Sequence, residues 1–544
     1  MAIDSIPNDV EALKALLVTA WQERDAVRTE RDVVRTERDI VREERDVARQ
    51  EREYAKAFGE RLLHLLRQLK RAHYGRKSER LDADQYNLAL EDLEAAVAKA
   101  EAHDDKVSPE RRRERTQERR RNRGALPEHF ERLHVTLAPQ DTACSCCSHA
   151  MHIIGEDTSE RLDIIPAQYR VIVTHRPKYG CRSCGAKIVQ AHATERLIKG
   201  GLPTEAVVAS VLVDKYADHC PLYRQAQIMA RQGLNLDRST LASWVGHAAC
   251  ELEPVYRRLK DILLASGKIA VDETKVPVLD PGRGRTKAGY FWSIARDDRP
   301  WGGNDPPGAV YTYAPGRGAI YAHDLLASYR GIVQCDGYAA YKSLDASRIT
   351  LAFCWTHARR KFFEIAKVAP MPLAEEALAR IAAFYEIEKS IRGHSPEARC
   401  AVRQEKTKPL IEAFQSWLEH NLALVSAKST LAQAMQYALN HWDGLVRFLD
   451  DGRIELDTNI VERSIRGIVL NRKNALFAGH DEGAENWATI ASLIETCKLS
   501  NVNPQTYLAD VLTKLVNLWP MSKIDDLMPW AWGAAANATE QRAP

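Results

Sequence analysis

The sequence predicts a multidomain α+β chain, and three features carry that prediction. Its 544 residues exceed what one hydrophobic core usually covers, which implies three or four domains. Its hydrophobic pattern changes period repeatedly: helical first, then short β-branched runs, then helical, then a series of strands that gives way to helices again. A composition of 45% hydrophobic and 28% charged residues is that of an ordinary globular protein able to bury sizeable cores. The net charge of +3 is close to neutral, so any argument for nucleic acid must rest on local clusters of Lys and Arg. The opening MAIDSIPNDVEALKALL carries acids and no positive region ahead of an apolar run, and no apolar stretch reaches spanning length. A cytoplasmic location is expected.

Residues 1–106 are expected as one long helix, because they hold almost no Gly or Pro and repeat a seven-residue unit as RDAVRTE, RDVVRTE, RDIVREE and RDVARQE. Val27, Val34, Val41, Ala48, Ala55, Leu62 and Leu69 keep that step. The pattern fits a coiled coil that assembles two or more copies, although the neighbouring pairs Val33–Val34 and Ile40–Val41 give only one apolar line. A solvated helix laced with Glu–Arg pairs is the alternative. Residues 107–127 form an Arg-rich linker, with eight Arg against three Glu between Ser108 and Gly124, suited to phosphate contacts or simply to solvent.

Residues 128–198 read as a zinc-ribbon-like domain. Short β-branched segments, ERLHVTLAP, AQYRVIVTHRPKYG and AKIVQA, flank Cys144 with Cys147 and Cys181 with Cys184. Two CxxC pairs on short turns supply four thiolates in the tetrahedral arrangement of a structural zinc site. Cys146, His149 and His152 leave the identity of one ligand open. The remaining cysteines, Cys220, Cys250, Cys335, Cys354, Cys400 and Cys497, are expected as small buried hydrophobes. Residues 199–265 read as helix-turn-helix-like: one helix ends near Gly233, and Asp237 or Ser239 starts another carrying Thr240, Ser243 and Trp244. Any helical hairpin has the same sequence shape.

From 266 to 480 the pattern is that of an α/β core. KIAVDETKVPVL, GYFWSIARD, GAVYTYAP and GIVQCDGYAAY read as strands. Asp272 falls within the first and Asp336 at the end of the fourth. An acid on an apolar strand is costly to ionise without a cation beside it, and two at one end of neighbouring strands make an oxygen cradle suited to magnesium or manganese; each alone is more simply a turn cap. In DTNIVERSIRGIVLNRKNALFAG, Asn459, Glu462 and Arg466 share one helix face. Arg463, Arg472 and Lys473 lie near enough to hold a phosphate backbone. The interval from Asp336 to Glu462 is too long for a loop, and its periodicity predicts an all-helical insertion at about 365–450. Just ahead of it, CWTHARRKFF places Arg359, Arg360 and Lys361 as candidate backbone contacts, and Cys354 with His357 as a weak metal pair. Residues 481–544 are expected as a helical segment.

YGRKSERL, the paired CxxC, DKYADHCPLYRQ, RSTLASWVG, VDET, QCDGYAAY, CWTHARRKF and NIVERSIRGIVLNRKNALFAG together resemble the insertion sequence 66 family of transposases, over nearly the whole chain. Gly467 stands where that pattern leads one to expect Pro, and Ser145 likewise; neither removes a ligand. The resemblance implies a ribonuclease H-like core whose three acids map onto Asp272, Asp336 and Glu462. It further implies two magnesium ions for cleavage at the ends of an insertion element and strand transfer into target DNA, structural zinc, and action as a homodimer or larger assembly with small accessory proteins. A structure-selective nuclease or resolvase, and a DNA-binding regulator that no longer cuts, are the competing functions.

Overall fold

In a computed structural model of the chain, residues 9–35, 167–180, 188–280, 285–368 and 370–540 are described, with shorter runs between positions 38 and 163. The chain divides into two compact units, Met1–Pro166 and Ala167–Pro544. In the first, residues 10–35 form one helix, and its apolar residues face solvent: Trp21 is 60% and Val27 63% exposed. Cys144, Cys147, Cys181, Cys184, His149 and His152 lie outside the described residues, as does the later part of the heptad line.

The second unit opens on a short antiparallel hairpin, β1 (Lys178–Gly180) and β2 (Ile188–Gln190). Residues 131–136 and 167–177, expected as strands, have no regular structure. Val171, Ile172 and Val173 are all more than 60% exposed. β propensity is realised only against a partner strand and a face to bury on, and neither is present for them among the described residues.

Three helices follow: α1 (Glu205–Tyr216), α2 (Leu222–Arg231) and α3 (Arg238–Leu264). Gly233, at φ +82°, ends α2 as the sequence requires: its N–H reaches the Ala230 carbonyl and that of Leu234 the Met229 carbonyl, the paired closure a left-handed residue permits. Asp237 stands at the N-cap of α3 but makes no side-chain capping bond. Trp244 is buried core, whereas Ser243 is exposed. At 27 residues α3 runs on into the next layer, where the Tyr256 hydroxyl donates to the Tyr311 carbonyl at 2.8 Å.

The sheet that α3 meets has five strands: β3 (Lys268–Asp280), β4 (Arg285–Arg296), β5 (Gly308–Ala314), β6 (Gly331–Cys335) and β7 (Ile349–Phe353). Their order is β5-β4-β3-β6-β7. β3, β4 and β5 are antiparallel neighbours, while β6 and β7 run parallel to β3. Helix α4 (Ala319–Leu325) makes the crossover that parallel pairing demands, and α5 (Ala339–Lys342) follows β6.

After β7 come α6 (Trp355–Val368) and the helical insertion: α7 (Pro372–Ser390), α8 (Pro396–Val402), α9 (Lys408–Leu424), α10 (Thr430–Asn440) and α11 (Trp442–Val446). It has its own core, in which the Trp355 ring meets Phe384, Phe414 and Trp442 at centroid distances of 5.3–6.2 Å.

The chain then returns to the sheet with α12 (Asn459–Ala475) and α13 (Asp481–Leu499), followed by α14 (Pro504–Val516) and α15 (Pro529–Glu540). The boundary expected at 480 falls between α12 and α13, yet both pack on this sheet. Thr496 of α13 accepts from the Ala309 amide at 3.1 Å and donates to the Ala309 carbonyl at 3.0 Å, and Ser492 accepts from the Tyr311 amide at 2.9 Å. These hydroxyls satisfy backbone groups that edge strand β5 would otherwise leave unpaired. Of the scattered cysteines, Cys335, Cys354 and Cys497 are buried, but Cys250 is exposed and Cys220 and Cys400 are half-buried. Cys250 points outward because the apolar face of α3 is already filled by Ala248, Ala249 and Leu252. No helix among the described residues is long and apolar enough to cross a membrane.

Candidate active site

Parallel register sets the first two acids level. Ala270 of β3 lies opposite Gln334 of β6, so two residues further along each strand Asp272, still paired within β3, comes level with Asp336, just past the end of β6. Oxygens of Asp272, Glu273 and Asp336 lie within 4.8 Å of one another. The Glu273 amide donates to Asp272 Oδ1 and the Tyr338 amide to Asp336 Oδ1, both at 2.8 Å. Gly337 turns the chain at φ +83°, and a Cβ there would strike the His441 ring. Tyr437 of α10 and His441, which caps that helix, brace the same turn, the Tyr437 hydroxyl donating to the Asp336 carbonyl at 2.8 Å. The helical insertion thus buttresses the second acid.

Glu462 arrives on the first turn of α12, which approaches the sheet over a row of three small residues. Ala270, Ala295 and Ala309 are register partners across β3, β4 and β5, and Val461 and Ile465 pack on them. Ser464 ties the helix down, its carbonyl accepting from the Tyr311 hydroxyl at 2.7 Å and its hydroxyl meeting that of Ser293 at 3.4 Å. Ser293 is the register partner of Asp272. Preceding Glu462, Gln334 donates to the carbonyls of Glu455 (2.6 Å) and Asp457 (3.2 Å), which fixes the entry to α12 against β6.

The Glu462 side chain sits with a second set of donors. Cys354 Sγ, a ring nitrogen of His357 and a Glu462 oxygen also fall within 4.8 Å of one another, with His357 Nδ1 3.9 Å from Glu462 Oε1. Thr458 Oγ1 is 3.3 Å from the same oxygen. Two of the three sequence-derived acids therefore have side-chain oxygens within 4.8 Å of each other, and the third acts on Asp272 through its charge.

That field is strongly acidic. Burial, reinforced by Glu273, Asp336 and Glu462, pushes the Asp272 carboxyl up to about 7; all its charged neighbours are acids. Burial likewise raises Glu273 and Asp457 and lowers His357. Glu273 was missed in the sequence, where alternation along β3 assigns it to the face opposite Asp272. Its side chain has no solvent exposure, and both its oxygens are taken: Arg317 Nε donates to Oε1 at 2.7 Å and the Tyr341 hydroxyl to Oε2 at 2.6 Å. Arg317 in turn stacks 3.9 Å over the Tyr338 ring. Among the described residues Asp272 and Asp336 have no such ion pairs, and an all-oxygen pair of this kind fits a hard divalent cation.

A raised carboxyl has a measurable consequence. Asp272 keeps its proton in the folded chain up to about pH 7, whereas in the unfolded chain it loses it near 4. Its ionisation therefore destabilises the fold progressively from pH 4 to 7 and fully above 7. In magnesium-free buffer Asp272→Asn is expected to match the native chain near pH 4.5 and to be more stable by about 2 kcal/mol at pH 8, discounted from about 1.4 kcal/mol per unit. Thermal denaturation across that range checks it; a constant gap would refute the assignment.

The candidate DNA contacts divide. Arg360, Lys361, Arg463, Arg466 and Lys473 are exposed. Lys361 lies 4.5 Å over the Tyr437 ring and Arg359 5.8 Å over Phe363. Arg463 Nε donates to the Asn459 carbonyl and lines a cavity of about 350 Å³ with Arg299, Arg392 and Glu495; none of the three acids lines that cavity. Asn459 donates to Asp457 at 2.6 Å, and Arg472 to the Lys275 carbonyl.

Set beside known proteins, a chain with this half-buried acid pair, helix-borne third acid and helical insertion falls by its sequence among the transposases. It belongs to the insertion sequence 66 family: the family model described as "Transposase IS66 family" matches residues 200–486. A zinc-finger binding domain of the same transposases matches 141–185, their C-terminal element 492–530, and a model described as "Transposase C of IS166 homeodomain" 61–135. Uncharacterized protein y4jD of Sinorhizobium fredii is 44% identical over 86% of this chain and 93% of its own length. Uncharacterized protein y4qI of the same organism is 38% identical over 97% and 98%.

Proposed function

We propose that this transposase cuts DNA at the ends of its insertion element and joins the freed 3′ end to target DNA, with Asp272, Asp336 and Glu462 as the acids of the reaction. The observation that carries the reading is the level placement of Asp272 on β3 and Asp336 at the end of the adjacent parallel strand β6, with Glu462 brought within their electrostatic reach across the alanine row. The sheet order, three antiparallel strands followed by two parallel to the first, supports a ribonuclease H-like core spanning 266–480.

Asp272 and Asp336 would hold magnesium or manganese, with Glu462 completing the set; when bound, such ions stabilise the attacking and leaving oxygens of an in-line displacement at phosphorus. The chain's own residues prepare that site. Arg317 and Tyr341 neutralise Glu273, which leaves Asp272 and Asp336 as the available oxygen donors. Tyr437, His441 and Gly337 hold the Asp336 turn. His357 Nδ1, buried and without a hydrogen bond, lies 3.9 Å from Glu462 Oε1. Arg359, Arg360, Lys361, Asn459, Arg463, Arg466, Arg472 and Lys473 are proposed to hold the DNA backbone, where cations fix register without reading sequence.

The zinc-finger match supports structural zinc, for which Cys144, Cys147, Cys181 and Cys184 are the proposed ligands. The exposed apolar line of the N-terminal helix supports assembly into a homodimer or larger complex, and small accessory proteins of the same element are proposed partners. The test is incubation of the native chain with a duplex carrying the end of its own element. Magnesium-dependent cleavage at the repeat boundary is expected; binding without cleavage, with accessory proteins supplied, would favour the regulator, and cutting without end-joining the nuclease.

A further inference from the structure

The end of α12 carries a feature that the acid site does not use. Leu476 adopts φ +66° and ψ −50°, and the Phe477 amide donates across it to the Ala475 carbonyl at 2.8 Å. This is the γ-turn of positive φ, a rare and strained conformation for a branched side chain. Glycine would relieve it, yet the position holds leucine, and its side chain is 64% exposed beside a Phe477 that is 41% exposed. Two large apolar groups are thus turned into solvent at a backbone cost.

The turn is clamped on both sides. The Leu476 amide donates to the Arg472 carbonyl at 2.8 Å. The Ala478 amide donates to the Pro277 carbonyl at 2.9 Å, and the Leu279 amide to the Ala478 carbonyl at 2.8 Å, forming a bridge between Ala478 and Val278 of β3. Arg472 reaches the Lys275 carbonyl from the helix side. Arg472, Lys473 and Lys275 make the surround cationic, which complements a phosphate backbone and opposes burial against another apolar protein face.

Two elements run from the acids to this turn, and their lengths agree. Six residues of β3 separate Asp272 from Val278, about 20 Å at the strand rise. Thirteen residues of α12 separate Glu462 from Ala475, again about 20 Å at the helical rise. At about 3.4 Å per base pair, that distance is roughly six base pairs.

We infer that Leu476 and Phe477 form an apolar wedge that enters the base stack of bound duplex DNA roughly six base pairs from the phosphate cut at the acid site. This inference rests on the proposed DNA reaction. Apolar side chains inserted between base steps unstack and kink a duplex, and a rigid turn suits that role because a flexible one would fold back onto the protein.

The test uses the full-length chain and a set of duplexes carrying the element end, each with one 2-aminopurine, whose fluorescence rises on unstacking. With the native chain, one or two positions about five to seven base pairs from the cut are expected to brighten at least about threefold. Phe477→Ala is expected to abolish the brightening while duplex affinity by anisotropy stays within about threefold. Leu476→Gly, which removes the backbone strain and so cannot fail to fold for that reason, is expected to diminish it. Binding by the native chain with no bright position, or brightening that survives Phe477→Ala, overturns the wedge and leaves the DNA reading standing. Failure of the native chain to bind the duplex overturns both. Loss of self-association by Phe477→Ala without DNA would instead make the patch a contact between copies and also overturn the proposal.

Discussion

Asp272→Ala, Asp336→Ala and Glu462→Ala are each expected to lower cleavage of the element end by at least about 10³-fold, a loss of about 4 kcal/mol of transition-state stabilisation. Duplex affinity should remain close to native, because the proposed phosphate contacts lie on other side chains. The three losses should not add: removing a second acid from a set that acts as a unit changes little. Gel-resolved cleavage with 3′-labelled duplex, alongside anisotropy for binding, measures both quantities. Any single variant that still cuts at near-native rate removes its acid from the proposed set. Glu273→Gln tests the role of the fourth acid. If Glu273 braces Asp272 through Arg317 and Tyr341, the amide keeps one of those bonds and cleavage falls only moderately.

Asp272 and Asp336 stand out in the sequence because each breaks a local rule, whereas Glu462 stands out only by its helix face and by the family resemblance. A carboxylate within IAVDET or after GIVQC stands in an apolar strand where ionisation is costly, and such a violation marks chemistry. Their common level was not legible, since it depends on which strands pair and in what register. The same holds for the alanine row: Ala270, Ala295 and Ala309 are unremarkable until the pairing of β3 with β4 and of β4 with β5 aligns them beneath α12. Strand β7 went unread because its five residues, ITLAF, run almost directly into the helical pattern of WTHARRKFF, leaving no turn signal between them. The helix-turn-helix-like segment is legible as three helices within 199–265, but not the packing of the C-terminal half of α3 against the sheet, which depends on contacts such as that of Tyr256 with the Tyr311 carbonyl. The Cys354, His357 and Glu462 cluster could not be inferred from CxxH alone; it needs a helix from more than a hundred positions away to supply the carboxylate.

The second large effect is on stability, and it follows from a buried ion network in the helical insertion. Arg403 is fully buried and Arg399 nearly so. Glu388 of α7 meets Arg403 with both oxygens at 2.7 Å and Arg399 at 3.1 Å, and Arg399 also pairs with Glu455 at 2.6 Å. Arg403 further donates to the carbonyls of Phe448, Asp451 and Ile454. Glu388→Ala would leave two buried guanidiniums short of their shared counter-charge, a loss expected to cost about 3–5 kcal/mol and to lower the melting temperature by roughly 10 °C. Replacing the whole network together, Glu388→Leu, Arg399→Met, Arg403→Met and Glu455→Gln, should cost less than the single loss implies, because no uncompensated charge remains and only the carbonyls that Arg403 serves lose a donor. The stretch that Arg403 holds leads directly into the Glu455 and Asp457 carbonyls gripped by Gln334, and from there into Glu462. Glu388→Ala should therefore also depress cleavage below what its melting temperature alone would give at 25 °C, whereas a network that only holds the insertion together would leave cleavage by the still-folded fraction unchanged.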